Sequence, residues 1–455
     1  MNNADTKLLT ELLGRLERME LKGISIDSRN IKEGELFVAI KGERFDGHDF
    51  VPDAMKRGAW GALVERTSLE KKFSSLGSLK NILPVEDTLY ALQEMSYMHR
   101  KKHQIPVVGI TGSNGKTTTK EMLACILKQK GPVLKNEGNL NNHIGVPLTL
   151  LKMNADHRSA AVEMGMSAAG EIDLLSRLVA PTVGVITNIG PAHLEFFSGM
   201  DKIAEAKGEL LANLSPDATA VLNADDPYGI ALKSAFSGRI MTFGIEKKAD
   251  VSASRIVQEK GCTDFTLSAD NATINVRLRT VGKHNIYNAL AAASAALAAG
   301  MPLDAVKYGL DDFSPVAGRS EITTLEGRTL LADYYNANPA SMEAALAALV
   351  SLSAGRKAIA VLGDMLELGA AGPEAHRKIG HIAARLKVDQ LITVGALAKH
   401  IAEGAREQGM PSDRVLEAKS HADAAQALKK LSRSGDAVLI KGSRGMKMEK
   451  ILEAF

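Results

Sequence analysis

The chain has 455 residues, 45% of them hydrophobic and 24% charged, with 56 lysines and arginines against 53 acids. That length exceeds a single core, so several domains are expected. A net charge of +3 and an aromatic content of only 4% give no electrostatic case for nucleic acid or an anionic membrane, and no stacking platform for single strands.

The first residues, Met1 to Lys7, lack a basic segment leading into an apolar core, so no secretory signal is expected. The first hundred residues read as a small separate domain, with short strands at 36–40 and 61–64. The charged stretch 99–104, closed by Pro106, reads as a linker.

The most informative segment follows. An apolar strand at 107–110 runs into Gly112, Ser113, Asn114 and Gly115, and then Lys116, Thr117 and Thr118 open a helical pattern carrying Met122, Leu123, Ile126 and Leu127. This layout aims backbone N–H groups and a helix N-terminus at one point, which suits phosphate. Lys116 would neutralise the terminal phosphates and the Thr117 hydroxyl would ligate Mg²⁺. The usual phosphate loop has a further glycine where this chain has Ile110, so this loop is shorter between its glycines. The bland alternative is a glycine-rich turn in an ordinary α/β crossover.

From 106 to about 313, strand runs at 107–110, 160–163, 183–187 and 220–222 alternate with helical segments, the pattern of a mostly parallel sheet covered on both faces. Residues 249–280 differ: Phe265, Leu267, Ile274, Val276 and Leu278 alternate with polar residues around Asp270-Asn271, which predicts an antiparallel insert. The apolar run 289–303 is shorter than the ~20 residues of a membrane span and reads as a buried helix. Residues 316–455 repeat the α/β rhythm, with strands at 358–362, 391–394 and 437–440. The cysteines, Cys125 and Cys262, suit a reducing compartment and small apolar packing.

Polar residues recur just after the strands: Glu163, Asn188, Asn223, Asp225, Asp364 and Lys441. Ligands of open α/β sheets bind at those carboxyl ends, so a cleft between the second and third domains is expected. Glu163 is the natural Mg²⁺ ligand beside a phosphate loop, or else a surface carboxylate. His193, in a Gly/Pro turn, reads as an ordinary hydrogen-bonded histidine, and Lys207 as a solvated helix residue. The amide-rich segment 139–145 is a loop or a substrate contact; 282–288 is an N-cap or a ligand turn.

These segments together resemble the Mur ligase family, ATP-dependent amide-forming enzymes of peptidoglycan precursor synthesis. The resemblance rests on residues 111–122, 138–147, 163–165, 187–195, 222–227, 284–290, 318–321, 333–342, 361–369 and 441–446, with 27–29 and 46–50 in the first domain. It implies α/β folding in three domains: a small UDP-binding domain (1–102), a central ATP-binding domain (103–315) and a Rossmann-like ligase domain (316–455). It implies addition of D-alanyl-D-alanine to UDP-N-acetylmuramoyl-tripeptide through an acyl phosphate, by a cytoplasmic monomer without membrane insertion. It places ATP on Gly112 to Thr118, with Asn288 and Arg319 at adenine and phosphates and Asp333 at the ribose. Thr117 and Glu163 would hold one Mg²⁺, and His193 with a carbamylated Lys207 a second, which revises the bland readings of both. Ser28 and Asn142 would meet the UDP substrate, and Lys441, Ser443 and Arg444 the incoming amine. The arginine-bearing Asn-Pro-Arg signature for diaminopimelate is absent; Asn338-Pro339-Ala340 is the nearest match. The rival readings are folylpolyglutamate synthesis, against which the domain bearing Asp27-Ser28-Arg29 argues, and a nucleotide-binding scaffold without synthetic activity.

Overall fold

The computed structural model describes residues 3–72, 81–191, 195–259 and 261–455. His193, expected at the metal, lies outside them. The described chain is α/β and divides into two compact units. The first comprises Met1–Gly109, Gly131–Met166 and Gly170–Thr182; the second comprises Ile110–Lys130, Ser167–Ala169 and Val183–Phe455.

In the first unit β1 (Gly23–Ser25), β2 (Glu35–Val38), β3 (Gly61–Glu65) and β4 (Ile82–Val85) form a parallel sheet in that order. Side chains alternate across it. Leu36, Val38 and Leu63 meet Leu9, Leu12 and Leu13 of the helix Asn3–Glu17 and Leu92 and Met95 of the helix Thr88–Lys101. Phe37, Ala39, Ala62 and Val64 face the other way, onto Val51 and Ala54. Both faces are covered, as a parallel sheet requires.

The stretch expected as a linker begins as the end of the helix Thr88–Lys101, where His99 and Arg100 point inward while Lys101 and Lys102 are exposed. The Arg100 guanidinium is buried and donates to the Val179 and Ala180 carbonyls at 2.9 and 3.0 Å and to the His103 carbonyl at 2.7 Å. His99 Nε2 lies 2.7 Å from the Met153 carbonyl. The helix Glu171–Val179 ends at Ala180, whose φ is 42°. Its last carbonyls lack intrahelical partners, and the planar fork of Arg100 satisfies them.

The next four strands are β5 (Val107–Thr111), β6 (Val133–Lys135), β7 (Ser159–Glu163) and β8 (Val183–Ile186). The division of the chain falls within β5. In the first unit β6 pairs in parallel with β7. In the second unit β8 lies between β5 and β9 (Thr219–Asn223) and pairs with β9 in parallel. β10 (Arg239–Gly244) and β11 (Val251–Glu259) continue this parallel order. β12 (Cys262–Ala269) and β13 (Ala272–Leu278) then extend the sheet antiparallel, as the alternation predicts. Asp270 and Asn271 both have positive φ, 47° and 63°, the geometry that favours such residues in a two-residue hairpin turn.

The apolar run 289–303 is not one helix. The buried helix Lys283–Ala298 ends before Gly300, whose φ is +80°, and Pro302 precedes the next helix, Leu303–Asp312.

The remaining strands are β14 (Glu321–Leu325), β15 (Arg328–Ala332), β16 (Ala358–Gly363), β17 (Gln390–Val394), β18 (Val415–Ala418) and β19 (Ala437–Lys441). They form one sheet in the order β14-β15-β19-β16-β17-β18, parallel except for the β14–β15 hairpin. Among the described residues no helix is long and apolar enough to cross a membrane.

The Arg100 cap carries a measurable load. Arg100→Met should lower stability by about 2 kcal/mol, the worth of charge-assisted bonds whose carbonyls are left buried. Trp60, the single tryptophan, sits in the first unit, so urea unfolding followed by its fluorescence reads the change. An unshifted midpoint would show that the carbonyls find other partners.

Candidate functional site

The site begins where β5 ends. The buried strand delivers the chain to Gly112, and the helix Lys116–Leu127 starts four residues later with Gly115 as its N-cap. Gly112 has φ +146° and Gly115 +80°. A Cβ on Gly112 would lie 1.9 Å from Thr187 Oγ1, and one on Gly115 2.0 Å from Asn288 Oδ1. Backbone angle and space therefore both demand glycine.

The loop is stitched to the segment after β8. Ser113 N donates to the Asn188 carbonyl at 2.9 Å, and Asn114 N to Asn188 Oδ1 at 3.0 Å. Asn188 Nδ2 and Thr187 Oγ1 donate to the Asn114 carbonyl at 3.0 and 2.6 Å. Ser113 Oγ donates to the Gly190 carbonyl and accepts from Gly190 N, each at 2.9 Å. Asn114 Oδ1 accepts from Asn338 Nδ2 at 2.7 Å, and Asn338 also caps the helix Pro339–Ser353. No side chain caps the helix Lys116–Leu127, and a helix start of this kind suits an anion. Lys116 Nζ donates to the Gly112 carbonyl at 2.7 Å, folded over the loop, and Thr117 is buried behind it.

Lys207, on the helix Met200–Ala212, is 1% exposed rather than solvated. Burial, reinforced by the charge of Lys116, pushes its pKa well below the usual lysine range. Among the described residues, three lysines have side chains this deeply buried: Lys120, Lys207 and Lys441. Lys120 pairs with Glu121 at 3.1 Å and Lys441 with Asp333 at 2.6 Å. No described anion pairs with Lys207.

Asn288, on the helix Lys283–Ala298, packs against Gly115 and donates to Asn285 Oδ1 at 3.2 Å. The Arg319 guanidinium lies 3.8 Å from the centre of the Tyr335 ring. Asp333 Oδ1 accepts from Ser320 N at 3.0 Å while its other oxygen takes Lys441. Lys441, expected beside the incoming amine, directs its ammonium to Asp333 and the Asn336 carbonyl, as its burial demands an anion. Ser443 Oγ accepts from Leu366 N at 2.9 Å, and Arg444 pairs with Glu449 at 2.7 Å with its guanidinium exposed.

The other strand-end residues divide by role. Asp225 accepts from Ile245, Glu246 and Lys247 N and from the Tyr287 hydroxyl, folding the turn after β10. Asp364 accepts from Leu397 and Ala398 N. In the first unit, Glu163 is 3% exposed; Asn136 bonds its backbone N and O, and Asn141 Nδ2 donates to its Oε1 at 2.8 Å. Asn142 Oδ1 accepts from Ile144 and Gly145 N, so the amide-rich loop is partly a helix cap. Ser28 is buried beside Asp27, whose pKa the Arg29 guanidinium holds at about 2.

Sequence reasoning gave no separate role to Asn338 or to His284. His284 is half-buried against Ser320 Oγ at 3.2 Å, with its inaccessible Nδ1 lacking a partner among the described residues. Asn338 carried a readable signal, an amide directly before proline at a helix start.

A glycine-bearing phosphate loop opening a helix, inside layered α/β sheets, defines a nucleotide-binding protein of the phosphate-loop class. The chain belongs to the Mur ligase family: it matches the Mur ligase family catalytic domain over residues 20–100, the Mur ligase middle domain over 110–296, and the Mur ligase glutamate ligase domain over 318–444. It is 39% identical to the UDP-N-acetylmuramoyl-tripeptide–D-alanyl-D-alanine ligase of Bacillus subtilis (strain 168), covering 96% of this chain and 93% of that one. Its fold is similar to that of MurF from Acinetobacter baumannii, with TM-score 0.85, 35% identity and coverage of 95% and 94%. It is also similar to MurF ligase from Thermotoga maritima in complex with ADP, with TM-score 0.84, 30% identity and coverage of 95% and 96%.

The Lys441–Asp333 pair should be structural. Lys441→Met leaves a mostly buried carboxylate uncompensated and should cost about 3 kcal/mol, read as a fall in thermal midpoint. Adding Asp333→Asn to it should recover part of the loss. A single mutant as stable as wild type would show the pair to be dispensable.

Proposed function

We propose that the chain is an ATP-dependent amide-forming ligase that joins D-alanyl-D-alanine to UDP-N-acetylmuramoyl-tripeptide, releasing ADP and phosphate, as a cytoplasmic monomer. The observation that carries this is the phosphate loop together with Lys207, a buried amine beside Lys116 with no described anion. The names of the relatives support the substrates, and the ADP complex of the Thermotoga relative supports the nucleotide.

The chemistry follows from the acyl donor. A carboxylate cannot expel oxide, so its oxygen first attacks the γ-phosphorus of ATP, and the bond to ADP breaks. The free amine then attacks the acyl-phosphate carbon. The tetrahedral intermediate expels phosphate, and the nitrogen loses a proton. Such a path needs positioning and charge compensation more than acid–base groups.

Gly112, Ser113, Asn114, Gly115, Lys116, Thr117 and Thr118 cradle the triphosphate, with Lys116 turning from the Gly112 carbonyl to the γ-phosphate. Asn288 and Arg319 contact the adenine and phosphates, and Asp333, oriented by Lys441, the ribose. Residues 1–102 hold the UDP moiety with Ser28, residues 103–315 the nucleotide, and residues 316–455 the amine with Ser443 and Arg444; Asn142 lies on the tripeptide side.

Among the described residues no group of three His, Cys, Asp or Glu side chains forms a ready metal site. That fits Mg²⁺, which takes one or two protein ligands and completes its shell with phosphates and water. Thr117 and Glu163 would hold one ion, and His193 with a carbamate on Lys207 a second. Bound there, Mg²⁺ supplies Lewis-acid compensation of the transferring phosphoryl group. The carbamate fits the lysine: an uncharged amine adds to CO₂, an N–C bond forms as a C=O π bond opens onto oxygen, a proton leaves, and a buried neutral amine becomes an anionic oxygen ligand.

Phosphate release that requires both UDP-tripeptide and D-alanyl-D-alanine tests the reading; release driven by glutamate, or none, sinks it. Lys116→Ala should abolish ligation while the chain stays folded. Lys207→Ala should be nearly inactive and partly restored by formate or acetate. Wild-type protein in ¹³C-bicarbonate should show a carbamate resonance by ¹³C NMR that Lys207→Ala lacks, and its absence from wild type would return Lys207 to a plain buried amine.

A further inference from the structure

The third sheet has a topological switch point. From β16 the chain runs outward to β17 and β18 and then returns to β19 on the other side of β16, which opens a crevice at the carboxyl ends of β16 and β19. The turns after these two strands border it, and the one after β16 is unusually fixed. Asp364 holds Leu397 and Ala398 N, Met365 N donates to His376 Nε2 at 2.9 Å, and Leu366 N donates to Ser443 Oγ at 2.9 Å. Ser443 N in turn donates to the Asp364 carbonyl at 2.9 Å. Met365 and Leu368 point into the core, whereas Leu366 is 41% exposed.

A lone exposed leucine is ordinary. One whose backbone is anchored to the facing turn, at a switch point, is not. Across from it stands Gly445, where a Cβ would come within 2.9 Å of Leu366 Cδ1. Arg444 beside it keeps an exposed guanidinium, 5.9 Å from the Tyr335 ring centre. An apolar wall and an exposed cation on two linked turns suit a small ligand bearing a methyl group and a carboxylate.

We infer that Leu366 determines specificity for the amine substrate, packing against a methyl of the incoming D-alanyl-D-alanine while Arg444 takes its carboxylate. This rests on the ligase reading above.

The test compares kcat/KM for D-alanyl-D-alanine and D-alanylglycine, by phosphate release, in wild type, Leu366→Ala and Leu366→Met. Methyl discrimination in an apolar pocket is about tenfold or more. Leu366→Ala should raise KM for D-alanyl-D-alanine about tenfold with kcat little changed, and shrink the preference over D-alanylglycine at least about fivefold. KM for ATP should not move, and Leu366→Met should restore the preference. Unaltered preference in an active Leu366→Ala enzyme, or an equal loss for both dipeptides with a raised KM for ATP, overturns the assignment alone. Wild type that releases no phosphate with D-alanyl-D-alanine overturns the ligase reading, and this inference with it.

Discussion

The hold of three side chains on Asn114 is the constraint from which the rest of the second unit is organised. Asn188 reads both the N–H and the carbonyl of that residue, Thr187 shares the carbonyl, and Asn338 takes the side-chain oxygen. A glycine-flanked loop is by itself the least ordered part of an α/β crossover, since glycine loses the most conformational freedom on folding. Tying its middle residue to the end of β8 fixes the direction in which the N–H groups of the following helix point. Because Asn338 also caps the first long helix after β15, one amide-to-amide contact links the loop to the start of that helix. An anion that draws the loop toward itself would therefore be felt at residue 338.

The expectations that came closest were those with a strict local cause. Strands at 107–110, 160–163 and 358–362 lie in runs buried on both faces, and the Asp270-Asn271 hairpin needs positive φ at both residues, which these types tolerate. Short strands such as β1, β6, β14 and β18 passed unnoticed because three to five residues, half of them polar, leave no period to detect. The stretch at 99–104 misled for another reason: composition marks it as solvent-facing, yet Arg100 is buried by a partner helix distant in sequence. Tertiary capping is invisible to a local window.

At the site the same division holds. Loop residues were legible because sequence order and chemistry coincide there. Lys207 was not, since a lysine between Ala206 and Gly208 on a helix looks solvated until the burial of that face is known. Lys441 was legible as a strand-end polar residue but not as the partner of Asp333, a pairing across more than a hundred residues. Polar strand ends are ambiguous in general, because the same position serves turn formation at Asp225 and Asp364 and ligand contact elsewhere.

The three deeply buried lysines make the electrostatic argument by contrast. Burying an ammonium is costly, and the usual remedy is an anion within hydrogen-bond distance. Lys120 and Lys441 each have one, and each is thereby fixed in place. Lys207 has none among the described residues and has the Lys116 charge nearby, so burial and that charge both shift its balance toward the neutral amine. A neutral amine is a nucleophile, whereas an ion-paired ammonium is not. The sequence spaces these lysines without distinguishing them; it is the lack of a counter-charge among the described residues that sets Lys207 apart from the other two.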